Sequence, residues 1–200
     1  MKLVRFSHKN TIYWGVLGQD HTTLHTDFEN TSKLNTFSSV ISFFEGCSEP
    51  NQLPNTVSLI DVTRLAPVLP TKNILCIGKN YHDHILEFDG SAEDIERVKE
   101  NPIFFSKAIS SVIGPSEHIK LHTMATSQVD YEAELGVVIG KPCLNVTEEE
   151  AFDYIYGYTC LNDVTARDLQ KTHQQWMRGK SLDTHCPIGP WLVTADDIAD

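Results

Sequence analysis

The hydrophobic pattern of the first third of the chain predicts three strands and one helix. Residues 2–7 and 11–17 are two apolar runs around a short polar segment, which is typical of a β-hairpin. Residues 34–44 have apolar positions three and four apart, so they predict a helix. Residues 57–60 predict a short strand. We therefore expect a small, mostly β unit at the start of the chain.

The pattern after residue 70 predicts more strands, with short helices in their connections. Residues 73–77 form an apolar run ended by a glycine, and residues 129–139 and 154–161 predict two longer strands. Residues 91–100 and 147–150 begin with Ser or Thr followed by acidic residues, which favours the first turn of a helix. This order does not follow a regular βαβ alternation. It predicts a β-rich α+β fold.

The chain changes composition around Pro67 and Pro70, two residues that favour an extended linker. Residues 1–70 contain five basic and six acidic residues, whereas residues 71–200 contain eleven and twenty-one. We therefore predict a small N-terminal domain at 1–70 and a second domain at 71–200, which carries most of the negative charge.

Composition excludes several classes of protein. The net charge is -11 over 200 residues, which argues against binding nucleic acid through phosphate contacts. The 40% hydrophobic content is too high for a disordered chain, and no apolar run is long enough to predict a membrane span. The first ten residues lack an apolar signal core, and the five cysteines contain no Cys-x-x-Cys pair. We expect a cytoplasmic protein with reduced thiols.

The strand predicted at 129–139 carries closely spaced carboxylates. Strand side chains alternate between faces, so Glu132 and Glu134 point the same way, together with Asp130. The apolar residues 137–139 indicate a central strand, where adjacent carboxylates repel each other and are costly to desolvate. A divalent cation would offset both costs. An edge strand with a solvated acidic face explains the same pattern, and the pattern alone does not decide.

A third carboxylate favours the metal site. Asp163 follows the apolar strand predicted at 154–161, and strand ends often display functional groups. Three oxygen ligands without a neighbouring His or Cys suit a hard cation such as Mg²⁺ better than zinc.

Two other segments supply candidate reactive groups. His84 and Glu87 are three residues apart after a predicted buried strand, so on a helical turn the carboxylate can orient the imidazole as a general base. A surface turn with incidental polar residues is the alternative. Gly179 precedes Lys180 and can bring that lysine close to a ligand.

With these residues in view, the chain resembles the fumarylacetoacetate hydrolase family. The resemblance is carried by four stretches in the family's order, together covering about residues 71–195. They are Ile-Gly-Lys-Asn-Tyr at 77–81 with His84 and Glu87, Asp-Tyr-Glu-Ala-Glu-Leu at 130–135, Leu-Asn-Asp-Val-Thr-Ala-Arg-Asp at 161–168, and Gly-Lys-Ser at 179–181.

The resemblance implies a function for each candidate residue. It implies Mg²⁺, or else Ca²⁺ or Mn²⁺, held by three carboxylates, a catalytic His–Glu dyad and an active-site lysine. It also implies three residues that line the substrate pocket. The metal ligands are Glu132, Glu134 and Asp163; the dyad and lysine are His84, Glu87 and Lys180; the pocket residues are Tyr81, Arg167 and Gln170.

The resemblance also implies an architecture and an assembly. The family has a mixed, rolled β-sheet catalytic domain, often preceded by a small N-terminal domain, and commonly forms homodimers. Its members continue well past the position that matches Asp200. We therefore expect the C-terminal part of the fold to be missing from this chain.

The implied activity is metal-dependent chemistry on a small 2-oxo acid, through an enolate stabilised by the metal. Hydrolysis of a C–C bond in an acylpyruvate- or fumarylacetoacetate-like substrate is the first expectation. Isomerisation of a 2-hydroxy-dienoate or decarboxylation of an oxaloacetate-like acid, as in aromatic catabolism, uses the same enolate. A noncatalytic binding relative is the second alternative. The absence of Gly-x-Gly-x-x-Gly after any strand disfavours a dehydrogenase.

Overall fold

The computed structural model describes residues 1–47, 49–81, 95, 97–98 and 100–198, and in them it shows a β-rich α+β fold. The strands are β1 (Lys2–His8), β2 (Thr11–Leu17), β3 (Thr23–Thr26), β4 (Asn55–Ser58), β5 (Thr63–Arg64), β6 (Ile74–Gly78), β7 (Ile103–Lys107), β8 (Val112–Ile113), β9 (Val129–Asp130), β10 (Ala133–Ile139), β11 (Ile155–Asn162), β12 (Thr165–Ala166) and β13 (Cys186–Thr194). The helices are α1 (Phe28–Thr31), α2 (Phe37–Glu45), α3 (Glu148–Ala151), α4 (Arg167–Thr172) and α5 (Met177–Lys180).

Nine strands form one mixed sheet, as expected from the family resemblance. Its order is β10-β11-β13-β1-β2-β3-β4, with β5 paired to β1 and β8 paired to β13. All pairs are antiparallel except β13 with β8. Two small sheets, β6-β7 and β9-β12, lie outside it. Of the predicted site residues, Glu132 immediately precedes β10 and Glu134 lies at its start, Asp163 lies between β11 and β12, and Tyr81 follows β6 by three residues.

The hairpin predicted at the start of the chain is confirmed. β1 and β2 pair from Leu3 with Val16 to His8 with Thr11. The two turn residues, Lys9 and Asn10, have φ angles of 49° and 62°. Positive φ at both positions is the geometry of a type I′ turn, whose twist matches that of the strands.

The predicted helix at 34–44 begins later than the apolar spacing suggested. Thr36 is its N-cap, and the Thr36 side chain accepts a hydrogen bond from the Ser39 backbone N–H at 3.2 Å. The Ser39 side chain in turn accepts a bond from the Thr36 N–H, completing a capping box. Leu34 therefore lies outside α2, although it still packs against the core.

The single long strand predicted at 129–139 is wrong. The chain forms β9, leaves the extended ladder at Tyr131 and Glu132, and resumes as β10. The Glu132 backbone N–H donates to the Asn162 side chain at 3.1 Å, and the Glu132 carbonyl accepts from the Asp163 N–H at 2.8 Å.

The predicted central position of this strand is also corrected. Among the described residues, β10 pairs only with β11 and ends the sheet. Val138 packs against the core, whereas Leu135 and Val137 on the opposite face are 62% and 49% exposed. The apolar run at 137–139 predicted a strand that is buried on both faces. Among the described residues, only one face of β10 is covered.

The sheet continues across the boundary predicted at residue 70. β1 pairs with β13 through Leu3 and Leu192, and both side chains are fully buried in one core cluster. Helix α2 contributes Val40 and Phe44 to the same cluster. The division into 1–70 and 71–200 remains a prediction, and a continuous strand ladder joins the two parts.

The strands predicted at 57–60, 73–77 and 154–161 and the helix predicted at 147–150 agree with β4, β6, β11 and α3 to within two residues. Most of the helix predicted at 91–100 lies outside the described residues. No helix among the described residues is long and apolar enough to span a membrane.

The five cysteines are free, as expected, and differ in exposure. Cys143 and Cys160 are exposed. Burial raises the pKa of the Cys76 thiol to about 11 and that of Cys186 to about 12, so both remain protonated and unreactive near neutral pH.

Candidate active site

Seven of the nine predicted site residues line one cavity of about 420 Å³. The segment after β6, the β9–β10 segment, the end of β11 and helices α4 and α5 each contribute to its wall. The seven are Tyr81, Glu132, Glu134, Asp163, Arg167, Gln170 and Lys180. His84 and Glu87, the predicted dyad, lie outside the described residues.

Lys180 joins two of the three predicted metal carboxylates. Its Nζ donates to Glu132 Oε2 at 2.5 Å and to Asp163 Oδ2 at 2.8 Å. Both the Lys180 and Asp163 side chains are nearly inaccessible to solvent, at 3% and 4% exposure. The Lys180 ammonium also lies 5.1 Å from the centre of the Phe105 ring. This cation is therefore fixed at the inner end of the cavity.

Lys107 is a charged residue that sequence reasoning missed. It ends β7, its side chain is completely buried, and its Nζ donates to Asp163 Oδ1 at 2.6 Å. The only sequence signal was a lysine closing an apolar run, Ile-Phe-Phe-Ser-Lys at 103–107. That pattern alone does not distinguish a buried lysine from one at a solvated strand end.

Arg167 connects Glu132 with a fourth carboxylate, Asp130. Its guanidinium donates to Asp130 Oδ2 from Nε at 2.9 Å and contacts Glu132 Oε1 at 2.7 Å. Nη1 donates to Gln170 Oε1 at 3.1 Å. Burial opposes the charge of Arg167, but the hydrogen bonds and charges of Asp130 and Glu132 outweigh it and raise the Arg167 pKa. Asp130 thus positions Arg167.

Backbone and side-chain bonds hold Arg167 at the start of α4. The β12–β9 pair places Thr165 opposite Asp130, and the Arg167 N–H donates to Gln128 O at 2.8 Å. The neighbouring Asp168 accepts from Thr126 Oγ1 at 2.5 Å. Of these two neighbouring residues, Arg167 therefore faces the cavity, whereas Asp168 anchors the start of α4.

The carboxylates differ in their electrostatic surroundings. Burial opposes ionisation of Glu132, but the hydrogen bond and charge of Lys180, together with Arg167, outweigh it and lower the Glu132 pKa. Burial raises the pKa of Glu134, and the negative charges of Glu132 and Asp163 add to this effect. Glu134 Oε2 accepts a hydrogen bond from the Tyr81 hydroxyl at 3.1 Å.

Gly179 allows α5 to approach α4. A Cβ atom at this position would lie 2.6 Å from the Gln170 backbone nitrogen and 2.9 Å from Ala166 O. Both are backbone atoms of the adjoining segment, so neither can move aside as a flexible side chain does. The close contact holds Lys180 against the cavity, as the sequence motif suggested.

Replacing Gly179 by alanine should therefore lower the free energy of unfolding by about 1–3 kcal/mol, the usual cost of overpacking. Urea denaturation measures the change. Gly46→Ala is the matched control, because among the described residues a Cβ there would meet only Phe43 O, at an ordinary 3.7 Å. Equal stabilities for the two variants would contradict the tight α4–α5 contact.

The three predicted ligands at the cavity offer the type of donor atom that a hard divalent cation prefers. Glu132, Glu134 and Asp163 offer only carboxylate oxygens, the ligands that Mg²⁺, Mn²⁺ and Ca²⁺ prefer. Within the described ranges, no three His, Cys, Asp or Glu side chains have the spacing of a metal site. The Lys180 ammonium instead bonds to two of the three carboxylates. The metal ligands remain a prediction that this donor chemistry supports.

Comparison with known proteins places these features in a family. The model of the fumarylacetoacetate (FAA) hydrolase C-terminal family matches residues 73–200. Oxaloacetate tautomerase YisK of Bacillus subtilis is 49% identical over 144 residues, which are 72% of this chain and 46% of that protein. The chain thus matches less than half of this curated relative's length.

The structural matches to two solved proteins cover the whole of this chain. A fumarylacetoacetate hydrolase from Exiguobacterium antarcticum is 39% identical with a TM-score of 0.80, and the match covers 100% of this chain and 68% of that one. Maleylpyruvate hydrolase from Sphingobium sp. SYK-6, in complex with manganese(II) and pyruvate, is 29% identical with a TM-score of 0.73. That match covers 100% of this chain and 69% of the neighbour.

Proposed function

Because the chain belongs to the fumarylacetoacetate hydrolase family, we propose that it enolises a small 2-oxo acid in this cavity, with a divalent cation bound. The observation that carries the proposal is the convergence of the three predicted metal carboxylates with Lys180 and Arg167 on one cavity. The named homologues are enzymes, a tautomerase and two hydrolases. Enolisation is a step that tautomerisation and such C–C bond hydrolysis have in common.

In this proposal Glu132, Glu134 and Asp163 hold the cation, as their donor chemistry allows. A divalent cation at this place would polarise the 2-oxo group and neutralise negative charge. The neighbour with manganese and pyruvate supports a divalent ion, and Mg²⁺ remains our specific expectation.

The side chains of the chain itself would bind the acid and move its proton. The Gln170 carbonyl oxygen accepts from Arg167, so the Gln170 NH₂ group is directed to donate to the substrate carboxylate. Lys180 would donate to the oxygen on which negative charge develops. The predicted His84–Glu87 pair would remove the proton from the carbon beside the 2-oxo group, and returning it to the oxygen completes an enol.

Oxaloacetate-like acids are our first candidate substrates, with keto–enol tautomerisation as the reaction. The relative at 49% identity carries that activity in its name, and the reaction needs only enolisation and proton delivery. The sequence alone favours C–C hydrolysis, and the likeness to this relative favours tautomerisation over it. A homodimer in the cytoplasm remains part of the proposal.

Hydrolysis of an acylpyruvate-like C–C bond is the second candidate. It is supported by the fold-wide likeness to a maleylpyruvate hydrolase. In that reaction the His84–Glu87 pair would activate a water for attack on a second carbonyl. The metal and substrate-binding residues would be the same.

A substrate assay separates the candidates. The purified protein with Mg²⁺ or Mn²⁺ is given oxaloacetate, and decay of the enol absorbance is followed. Acylpyruvates are tested in parallel, with products identified by chromatography. Faster enol–keto exchange without pyruvate release supports tautomerisation. Cleavage of acylpyruvates without faster exchange favours hydrolysis. Inactivity on both substrate classes overturns the enzymatic proposal.

His84→Ala tests the predicted dyad. Loss of the general base should lower kcat on the order of 10²–10⁴-fold, with metal affinity unchanged because His84 is not a predicted ligand. The control is His118→Ala, since His118 is an exposed residue away from the cavity lining. A His84→Ala enzyme with normal kcat would remove the dyad from the mechanism.

A further inference from the structure

We propose that Lys107 is a positioning residue that orients Asp163 and the backbone of Lys180, and thereby sets the affinity of the site for a divalent cation. The inference rests on the proposed function, since it concerns the same cavity. It adds a residue that neither the sequence motifs nor the cavity lining contain.

The ammonium of Lys107 uses all of its hydrogen-bonding capacity inside the protein. It donates to Asp163 Oδ1 at 2.6 Å, to Val164 O at 3.2 Å and to the backbone carbonyl of Lys180. Three donors thus meet three acceptors. The side chain is fully buried, so no donor remains to reach a substrate. Lys107 can act on the reaction only through the groups it holds.

These acceptors belong to segments that carry reacting groups. Two lie in the turn after β11, which presents Asp163, and the third is the carbonyl of Lys180 at the end of α5. One buried cation therefore fixes the distance between the Asp163 carboxylate and the segment bearing Lys180. A shift of either segment would break at least one of its hydrogen bonds.

The two oxygens of Asp163 are assigned to different partners. Oδ1 accepts from Lys107 on the buried side, and Oδ2 accepts from Lys180 on the cavity side. Tilting the carboxylate plane out of this orientation would give up a charge-assisted bond at a residue that is only 3% exposed. Lys107 thus fixes the plane of the Asp163 carboxylate, so that one of its oxygens is directed to the cavity.

Stability alone does not account for a lysine at this position. Burying an ion pair costs desolvation free energy that its attraction only partly offsets, and apolar packing often serves stability as well or better. A fully buried ammonium that bonds to one predicted metal ligand and to the backbone of the active-site lysine matches the outer partners that orient metal ligands. Removal of such partners typically costs 10–100-fold in metal affinity or activity.

The test is Mn²⁺ binding by isothermal titration calorimetry, with folding verified by circular dichroism. Lys107→Met should bind Mn²⁺ about 10–100-fold more weakly than the wild type. The matched control is Ser181→Ala. The Ser181 hydroxyl accepts from the Ala108 N–H at 2.9 Å, so it joins the end of β7 to the end of α5 without touching Asp163. This variant should bind within twofold of the wild type.

Two further measurements keep the inference falsifiable if Lys107→Met does not fold. Lys107→Gln retains two N–H donors but no charge, and should also bind Mn²⁺ more weakly than Ser181→Ala. In the wild type, the buried Lys107 ammonium should exchange slowly enough to give a ¹⁵N signal, and that signal should shift on adding Mg²⁺.

Each outcome decides a different claim. Weaker binding in the folded Lys107 variants, or a shifted ammonium signal, supports the inference. Binding within twofold of Ser181→Ala, or a protected ammonium signal that Mg²⁺ leaves unchanged, overturns it while the proposed function stands. A wild-type protein that binds no divalent cation overturns the proposed function, and the inference with it.

Discussion

Replacing Lys180 by methionine should lower kcat by about 10²–10⁴-fold, the range for loss of a group that transfers or stabilises a proton in the transition state. Lys180 is the one cation that contacts both Glu132 and Asp163 among the described residues. Its ammonium is desolvated, so its interaction with developing negative charge is stronger than that of a surface lysine. Methionine fills a similar volume without the charge, which separates electrostatics from packing.

Lys171→Met is the control for this substitution. Lys171 also lines the cavity but makes no ion pair within the described ranges, so its removal should change kcat much less. Steady-state kinetics of both variants, on whichever substrate the assay identifies, gives the comparison. Equal losses in the two variants would mean that Lys180 contributes only to the overall positive charge of the cavity.

Sequence patterns predicted those strands and helices whose geometry is set by residues close together in the chain. The β1–β2 hairpin follows from two apolar runs around a short turn, and the α3 capping box follows from Thr147 and Glu150. At the interruption between β9 and β10, the Glu132 backbone N–H donates to the side chain of Asn162, thirty residues away. No local pattern contains that contact, so alternation alone predicted an unbroken strand.

The candidate site was predictable where its residues fall in motifs. Tyr81, the carboxylates, Arg167 and Lys180 belong to four short stretches, Gln170 follows one of them by two residues, and the fold brings them all to one cavity. Lys107 could not be named in this way, because its importance arises from bonds to residues 163, 164 and 180. The place of β10 at the end of the sheet likewise follows from strand order, which the apolar content of one strand does not encode.

Asp163→Asn should be the most destabilising substitution in the site and should also abolish binding of the divalent cation. The Asp163 carboxylate is the only charged partner of Lys107 within the described ranges, and it also binds Lys180. Asparagine keeps the shape but leaves the completely buried Lys107 ammonium without an anion. Breaking a buried pair in this way typically costs about 3–5 kcal/mol.

Asp130→Asn makes the same chemical change at the rim of the same cavity. Comparing the two variants shows how much of the loss in stability comes from burial of the carboxylate and how much from removal of its charge alone. The Asp130 side chain is 46% exposed, so its pair with Arg167 is screened by water and its loss should cost less than about 1 kcal/mol. Urea unfolding gives both free energies, and calorimetry with Mn²⁺ gives both affinities. Similar stabilities in the two variants would show that Lys107 and Lys180 are not held by Asp163. Undiminished Mn²⁺ binding in Asp163→Asn would remove Asp163 from the proposed ligand set, because an amide is a much poorer ligand than a carboxylate for a hard cation in this position.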